Sequence, residues 1–180
     1  MKLEFQAKFL QHLNKKKQQD EGFTLIELLV VIIIIGILAA IALPSLIAQV
    51  NKGKQAEARQ NVGAINRAQQ AYFLEANNFA STVQEVGIGI STQTVNYYYT
   101  INTGGRSAPE RVANLGSRNQ NAKTLKSYLG LSFTTLAGTG ASTEVLAIGK
   151  VCETKNPGNN ITTVPNGTGC ETTYKDLGAK

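Results

Sequence analysis

The stretch Gly22-Phe23-Thr24-Leu25-Ile26-Glu27, followed by the run Leu28 to Leu43, decides how this 180-residue chain is read. The sixteen residues of that run carry no charge and no hydrogen-bonding side chain. At about 1.5 Å of rise per residue, a helix from Phe23 to Val50 would be roughly 42 Å long. A hydrocarbon core is only about 30 Å thick, so such a helix can cross it. One carboxylate, Glu27, sits just inside the helix start, and Lys15, Lys16 and Lys17 lie close before it. An acid at this place is costly in a membrane and has a reason to be there. The rest of the chain reads as something this helix carries and positions.

Two readings compete on hydropathy alone. A secretory signal peptide has a basic start, an apolar stretch and then a small-residue cleavage site, and its apolar part is discarded. Ala39, Ala40 and Ala42 could serve as that site, but Pro44 follows closely. An uncleaved signal anchor keeps the apolar stretch, and nothing in hydropathy demands a cut before it.

The residues Gly22-Phe23-Thr24-Leu25-Ile26-Glu27-Leu28 resemble the class III signal of type IV pilins and type II secretion pseudopilins. The resemblance continues through Gly36-Ile37-Leu38-Ala39-Ala40-Ile41-Ala42-Leu43-Pro44, and covers about the first third of the chain. The long leader and Asn66-Arg67-Ala68-Gln69-Gln70-Ala71-Tyr72 are similar to cyanobacterial pilins in particular. The resemblance implies that a prepilin peptidase cuts after Gly22, that the new N-terminal Phe23 is methylated, and that the apolar helix is kept. It makes Glu27 the acidic residue used in assembly. Gly36 and Pro44 would bound a segment that loses helix when subunits pack in a filament. Proline inside a helix removes one backbone bond and kinks the axis in any case. The implied partners are the peptidase, an inner-membrane assembly platform with its ATPase, the membrane as host of the precursor, and further copies of the chain. The implied locations are the inner membrane before assembly and the cell surface afterwards.

Composition narrows the function classes. The only histidine is His12, in the leader, so a mature chain beginning at Phe23 has no imidazole base or metal ligand. Nothing resembles a phosphate loop or a paired-carboxylate site, and neither catalysis nor a cofactor is expected. The full chain carries +6 and the part after Gly22 carries +4, an excess too moderate to fix a partner. Cys152 and Cys170 flank turn-forming Pro157-Gly158-Asn159-Asn160 and Pro165-Asn166-Gly167. In an exported domain the expected state is a disulfide; two separate buried thiols are the alternative. Two cysteines are too few for a zinc site.

The expected fold class is α+β. A leader (1–22) precedes a transmembrane or filament-core helix half (23–50), an amphipathic half (51–76) and a globular domain (77–180). The leader reads either as an amphipathic helix on the inner membrane surface or as a basic tail. In the second helix half Ala58, Val62, Ile65, Ala68 and Tyr72 form an apolar stripe, with Lys54, Gln55, Arg59, Gln60, Asn66 and Arg67 on other faces. The helix should stop near Ala76 at Asn77-Asn78, and its stripe needs a sheet to cover it. Gly87-Ile88-Gly89-Ile90 reads as loop. Strands are expected at Thr94 to Asn102, Leu131 to Ala137 and Glu144 to Glu153, the last two joined at Gly138-Thr139-Gly140. Residues 103 to 122 read as loop. The sum is a sheet of three or four antiparallel strands with the cysteine loop at its edge.

Some residues keep two readings. Arg106, Arg111, Arg118, Lys123 and Lys126, with only Glu110 to offset them, form either a basic patch for DNA or acidic polymers or a solvated loop. Tyr97, Tyr98 and Tyr99 could stack bases, but strand alternation sends Tyr98 away from its neighbours, which suits core packing with one exposed ring. Asn160-Ile161-Thr162 and Asn166-Gly167-Thr168 fit a glycosylation pattern that also recurs by chance. Glu27 either pairs with the Phe23 amine of another subunit or snorkels to the headgroups. A pilus subunit serving motility, adhesion or DNA uptake is the leading function. A type II secretion pseudopilin and a monomeric signal-anchored binding module are the alternatives. Major pseudopilins hold calcium on a C-terminal acidic loop, whereas Glu144, Glu153, Glu171 and Asp176 are scattered here.

Overall fold

The computed structural model describes residues 22–103, 111–137, 144–161, 164–165, 168–170 and 172–178. The leader up to residue 21, Gly138-Thr139-Gly140, Arg106, Glu110, Glu171 and parts of both glycosylation patterns lie outside these residues. The chain divides into two units, one ending at Ile47 and one beginning at Ala48.

One helix, α1 (Leu25–Ala76), passes through Gly36, Pro44 and Gly53 without a break. In the first unit every apolar side chain from Leu28 to Leu43 that is large is exposed, as an all-round apolar helix must be until lipid or another chain surrounds it. The helix ends where the sequence expects. Asn77 takes φ 54°, the left-handed conformation that asparagine tolerates after a helix, and its N–H closes on the Phe73 carbonyl at 2.9 Å.

The second unit is a helix laid on a sheet. Its strands are β1 (Tyr97–Asn102), β2 (Arg111–Arg118), β3 (Tyr128–Ala137), β4 (Glu144–Thr154) and β5 (Tyr174–Asp176). They form an antiparallel meander in the order β1-β2-β3-β4-β5. Among the described residues the sheet thus has five strands, not three or four. β2 lies in what the sequence presents as loop, because Arg-Val-Ala-Asn-Leu-Gly-Ser-Arg has little strand propensity. Tertiary contacts override that. A Cβ on Gly116 would sit 2.6 Å from Val62 Cγ2, and one on Gly130 would sit 2.2 Å from Asn66 Oδ1. Glycine at these two positions lets the helix backbone close on β2 and β3. β5 is only three residues long, too short to show a pattern.

On the helix side, Ala58, Val62 and Ile65 pack with Tyr97, Tyr99 and Tyr128. Tyr98, on the other face of β1, is 36% exposed, as alternation requires. The stripe differs from expectation further along. Ala68 and Tyr72 are only half-buried, while Asn66 and Gln69 are buried. Asn66 belongs to the packed face because its amide is matched on all sides. It receives a hydrogen bond from Asn114 Nδ2 at 2.7 Å and donates to the Lys150 carbonyl at 2.8 Å. Ser132 Oγ also bonds Asn66 Oδ1 at 3.4 Å. Gln69 clasps the backbone of Ala80 through both its amide atoms, at 2.9 and 3.0 Å. A buried amide left unmatched would cost about 1–3 kcal/mol, so these partners set the helix register on the sheet.

The opposite sheet face is also covered. Leu129, Leu131, Phe133 and Tyr174 pack with Ile161 and Val164 of the segment between the cysteines. Ile161 and Val164 of that segment thus lie over the sheet face. Ser127 Oγ donates to the Asn159 carbonyl at 3.2 Å, and Arg111 Nη1 to the Pro165 carbonyl at 2.9 Å.

Candidate processing and assembly site

Gly22, Phe23 and Thr24 precede the helix in non-helical conformation. Phe23 is 84% exposed. A side chain on Gly22 would meet nothing within 4 Å, so no contact among the described residues requires glycine there. The same holds at Gly36 and Gly53.

The first helical turn is capped by its own sequence. Thr24 donates its N–H to Glu27 Oε2 at 2.9 Å and its hydroxyl to the same oxygen at 2.6 Å. The Glu27 N–H returns a bond to Thr24 Oγ1 at 3.3 Å. The Leu28 N–H closes the first turn on the Thr24 carbonyl at 3.2 Å. This is a capping box, in which an N-terminal threonine and the glutamate three residues on satisfy each other's groups. Thr24 therefore joins the site, and the Thr-x-x-Glu spacing was its signal in the sequence. Glu27 has a partner even in a lone subunit, a third arrangement beside pairing and snorkelling. The carboxylate also sits at the positive end of the helix dipole.

Beyond Glu27 the helix is long and apolar enough to cross a membrane, and none of that span is buried against the protein. Exposed apolar surface of this extent marks a membrane or protein contact.

In the second unit Cys152 and Cys170 form a disulfide with Cα atoms 5.8 Å apart. It fastens the segment that covers the outer sheet face. The basic residues flanking β2 do not stand as a free patch. Arg118 is buried and gives its guanidinium to the carbonyls of Asn119, Gln120 and Gly158. Lys126 pairs with Glu153 at 3.1 Å, and Arg111 holds Pro165. Arg118, Lys126 and Arg111 are thus engaged in holding loops, whereas Lys123 is exposed and Arg106 lies outside the described residues. The tyrosines of the helix-facing core are likewise structural. Burial pushes the Tyr128 phenol up to about 12, with negative Glu153 adding to it, and burial raises Tyr97 and Tyr99 as well.

Comparison with known proteins agrees with this geometry. Residues 17–43 match the prokaryotic N-terminal methylation motif. Over 69 residues the chain is 45% identical to the type IV major pilin protein PilA of Myxococcus xanthus, covering 38% of this chain and 31% of that protein. It is 38% identical over 69 residues to the type II secretion system core protein G of Aeromonas hydrophila, covering 38% of this chain and 48% of that one. Against core protein G of Escherichia coli it is 35% identical over 66 residues, covering 37% and 46%. The chain thus spans about half or less of the curated relatives it matches. No solved structure matches it. Residues 55–174, two-thirds of the chain, match the model of the family described as type IV pilin-like G and H, and the chain belongs to that family.

Proposed function

We propose that this chain is a structural subunit of a type IV pilus, without catalytic activity. The observation that carries the reading is the fully exposed apolar half of α1, which begins inside the matched methylation motif and follows a single carboxylate. Such a surface needs a bilayer first and other apolar helices later. In this reading residues 1–22 are a leader removed by prepilin peptidase after Gly22, and Phe23 is methylated. Residues 23–50 span the inner membrane and then form the filament core, 51–76 join that core to the sheet, and 77–180 form the surface domain. An assembly platform and its ATPase move the subunit from membrane to filament. Gly36 and Pro44 soften the helix for that transfer, a role supported by the lack of any local contact that demands glycine at 36. Glu27 gives up its bonds to Thr24 and pairs with the Phe23 amine of another copy. The filament then serves motility, adhesion or DNA uptake at the cell surface.

A type II secretion pseudopilin is the second reading, favoured by the relatives named core protein G. Against it, two carboxylates available for a C-terminal calcium site already pair with lysines, Glu153 with Lys126 and Asp176 with Lys150. The test is mass spectrometry of sheared surface filaments. The expected result is this chain as their main component, starting at methylated Phe23. Replacing Gly22 by leucine should leave the leader attached. Filaments built from chains that keep the leader, or sheared material lacking the chain, would refute the reading.

A further inference from the structure

Among the described residues, one stretch of the sheet margin has no strand beside it. β5 pairs with β4 only at Cys152, Glu153 and Thr154, and the Leu177 N–H closes on the Val151 carbonyl at 3.0 Å. From Glu144 to Lys150, among the described residues, no strand pairs with the side of β4 away from β3. Backbone groups alternate sides along an antiparallel strand. Because the Val151 carbonyl faces β5, the N–H and C=O groups of Val145, Ala147 and Gly149 face the open side. Proteins usually blunt such an edge with proline, a bulge or charges, because it is a template for pairing with another chain. This one has no proline, and Val145, Leu146 and Ile148 are 50%, 44% and 38% exposed.

We propose that this edge pairs antiparallel with the same edge of a second copy, about a two-fold axis at Ala147. The segment Glu144-Val145-Leu146-Ala147-Ile148-Gly149-Lys150 is its own complement when reversed. With Ala147 opposite Ala147, Leu146 faces Ile148, Val145 faces Gly149 and Glu144 faces Lys150, once in each half. Charge meets charge, a branched side chain meets a residue without one, and apolar meets apolar. The backbone agrees with this register. Residues that turn their hydrogen-bonding groups outward then lie opposite one another, and each such pair exchanges two bonds.

The free length agrees as well. Ala147 is the midpoint of the open window from Glu144 to Lys150, so the partner strand ends before it reaches Leu177 at Val151. Centring on Gly149 would drive it into that residue, and centring on Val145 would leave most of the edge open. A one-residue shift would set inward-turned groups against outward ones. On the helix side of the edge lies a cleft of about 670 Å³, lined by Ile148 to Val151 and by Ala56 and Gly63 of α1. It has room for the partner's Val145. A two-fold contact closes on itself, so it links two copies side by side and is independent of the filament reading.

The test uses the full chain in detergent micelles, where dimerisation is read by sedimentation and by cross-linking. In this register position 147 lies about 5.5 Å from its symmetry mate, within reach of a disulfide. Ala147→Cys should give a covalent dimer on mild oxidation, with peptide mapping placing the bond at 147. Val95→Cys, more exposed than position 147 but elsewhere on the surface, should not. Glu144→Lys and Lys150→Glu should each weaken the dimer about tenfold, and the double swap should restore it. Because Lys150→Glu also breaks the ion pair with Asp176, recovery in the double variant cannot come from a repaired fold. Ala147→Pro removes an N–H that faces the open side, leaves the β3 ladder in place, and should abolish the dimer. An Ala147→Cys chain that stays monomeric with Cys152–Cys170 intact would overturn the proposal. So would a dimer that survives Ala147→Pro or is not recovered by the charge swap.

Discussion

Two substitutions at the head of α1 separate the roles open to Glu27. Glu27→Gln keeps a side-chain oxygen for Thr24 to bond and removes only the charge. Thr24→Val removes the hydroxyl and keeps both the charge and the Thr24 N–H bond at 2.9 Å. A cap of this kind is worth about 1 kcal/mol, whereas removing one partner from a buried ion pair costs about 3–5 kcal/mol. At about 1.4 kcal/mol per tenfold, losing the cap alters a helix equilibrium roughly fivefold. Losing the pair weakens each subunit contact more than a hundredfold. If Glu27 pairs with the Phe23 amine of another copy, Glu27→Gln and Glu27→Val should insert and lose the leader yet fail to assemble as the sole pilin. Thr24→Val should then assemble within about fivefold of the parent. The assay is the amount of sheared filament, normalised to the cleaved precursor in the membrane. Wild-type yield from Glu27→Gln would refute pairing, and a Thr24→Val defect as deep as that of Glu27→Gln would show the cap to be the whole effect.

Three further outcomes follow from the packing. Gly130→Ala should cost about 1–3 kcal/mol from overpacking, since its Cβ would strike Asn66 and Val62. The loss should shrink in an Asn66→Ala background, and Gly53→Ala, with open space around it, should be neutral or stabilising by chemical denaturation in micelles. Cys152→Ser should lower stability by about 3 kcal/mol on the loop-entropy account, with free thiols appearing only in the variant or after reduction. Raising the pH should also destabilise the fold. A buried tyrosine keeps its proton while the unfolded chain loses it near pH 10, so its contribution is complete below that pH and declines above it. The slope is about 1.4 kcal/mol per pH unit for each such group. For Tyr128 the window runs from about pH 10 to about 12, and Tyr128→Phe should flatten that part of a melting-temperature profile.

The processing motif, the apolar half of α1 and the helix end at Ala76 were all legible in the residues. Each depends on local chemistry: a short motif from Gly22 to Leu28, an uncharged run, and an asparagine that accepts a left-handed backbone. Strands expected at Thr94 to Asn102, Leu131 to Ala137 and Glu144 to Glu153, where branched and aromatic residues concentrate, stand at Tyr97–Asn102, Tyr128–Ala137 and Glu144–Thr154. β2 was not visible, nor was the burial of Asn66 and Gln69, because pattern reading treats asparagine, glutamine, glycine and serine as surface or loop residues. Only the tertiary structure decides otherwise. It places Gly116 and Gly130 beneath the helix, where a side chain would clash, and sets Asn114 and Ser132 where Asn66 can bond them. Polarity along a chain is a local property, but whether a polar group is satisfied depends on partners far away in sequence. Asn66 meets Asn114 across 48 residues and the Lys150 carbonyl across 84, and no local pattern carries that information.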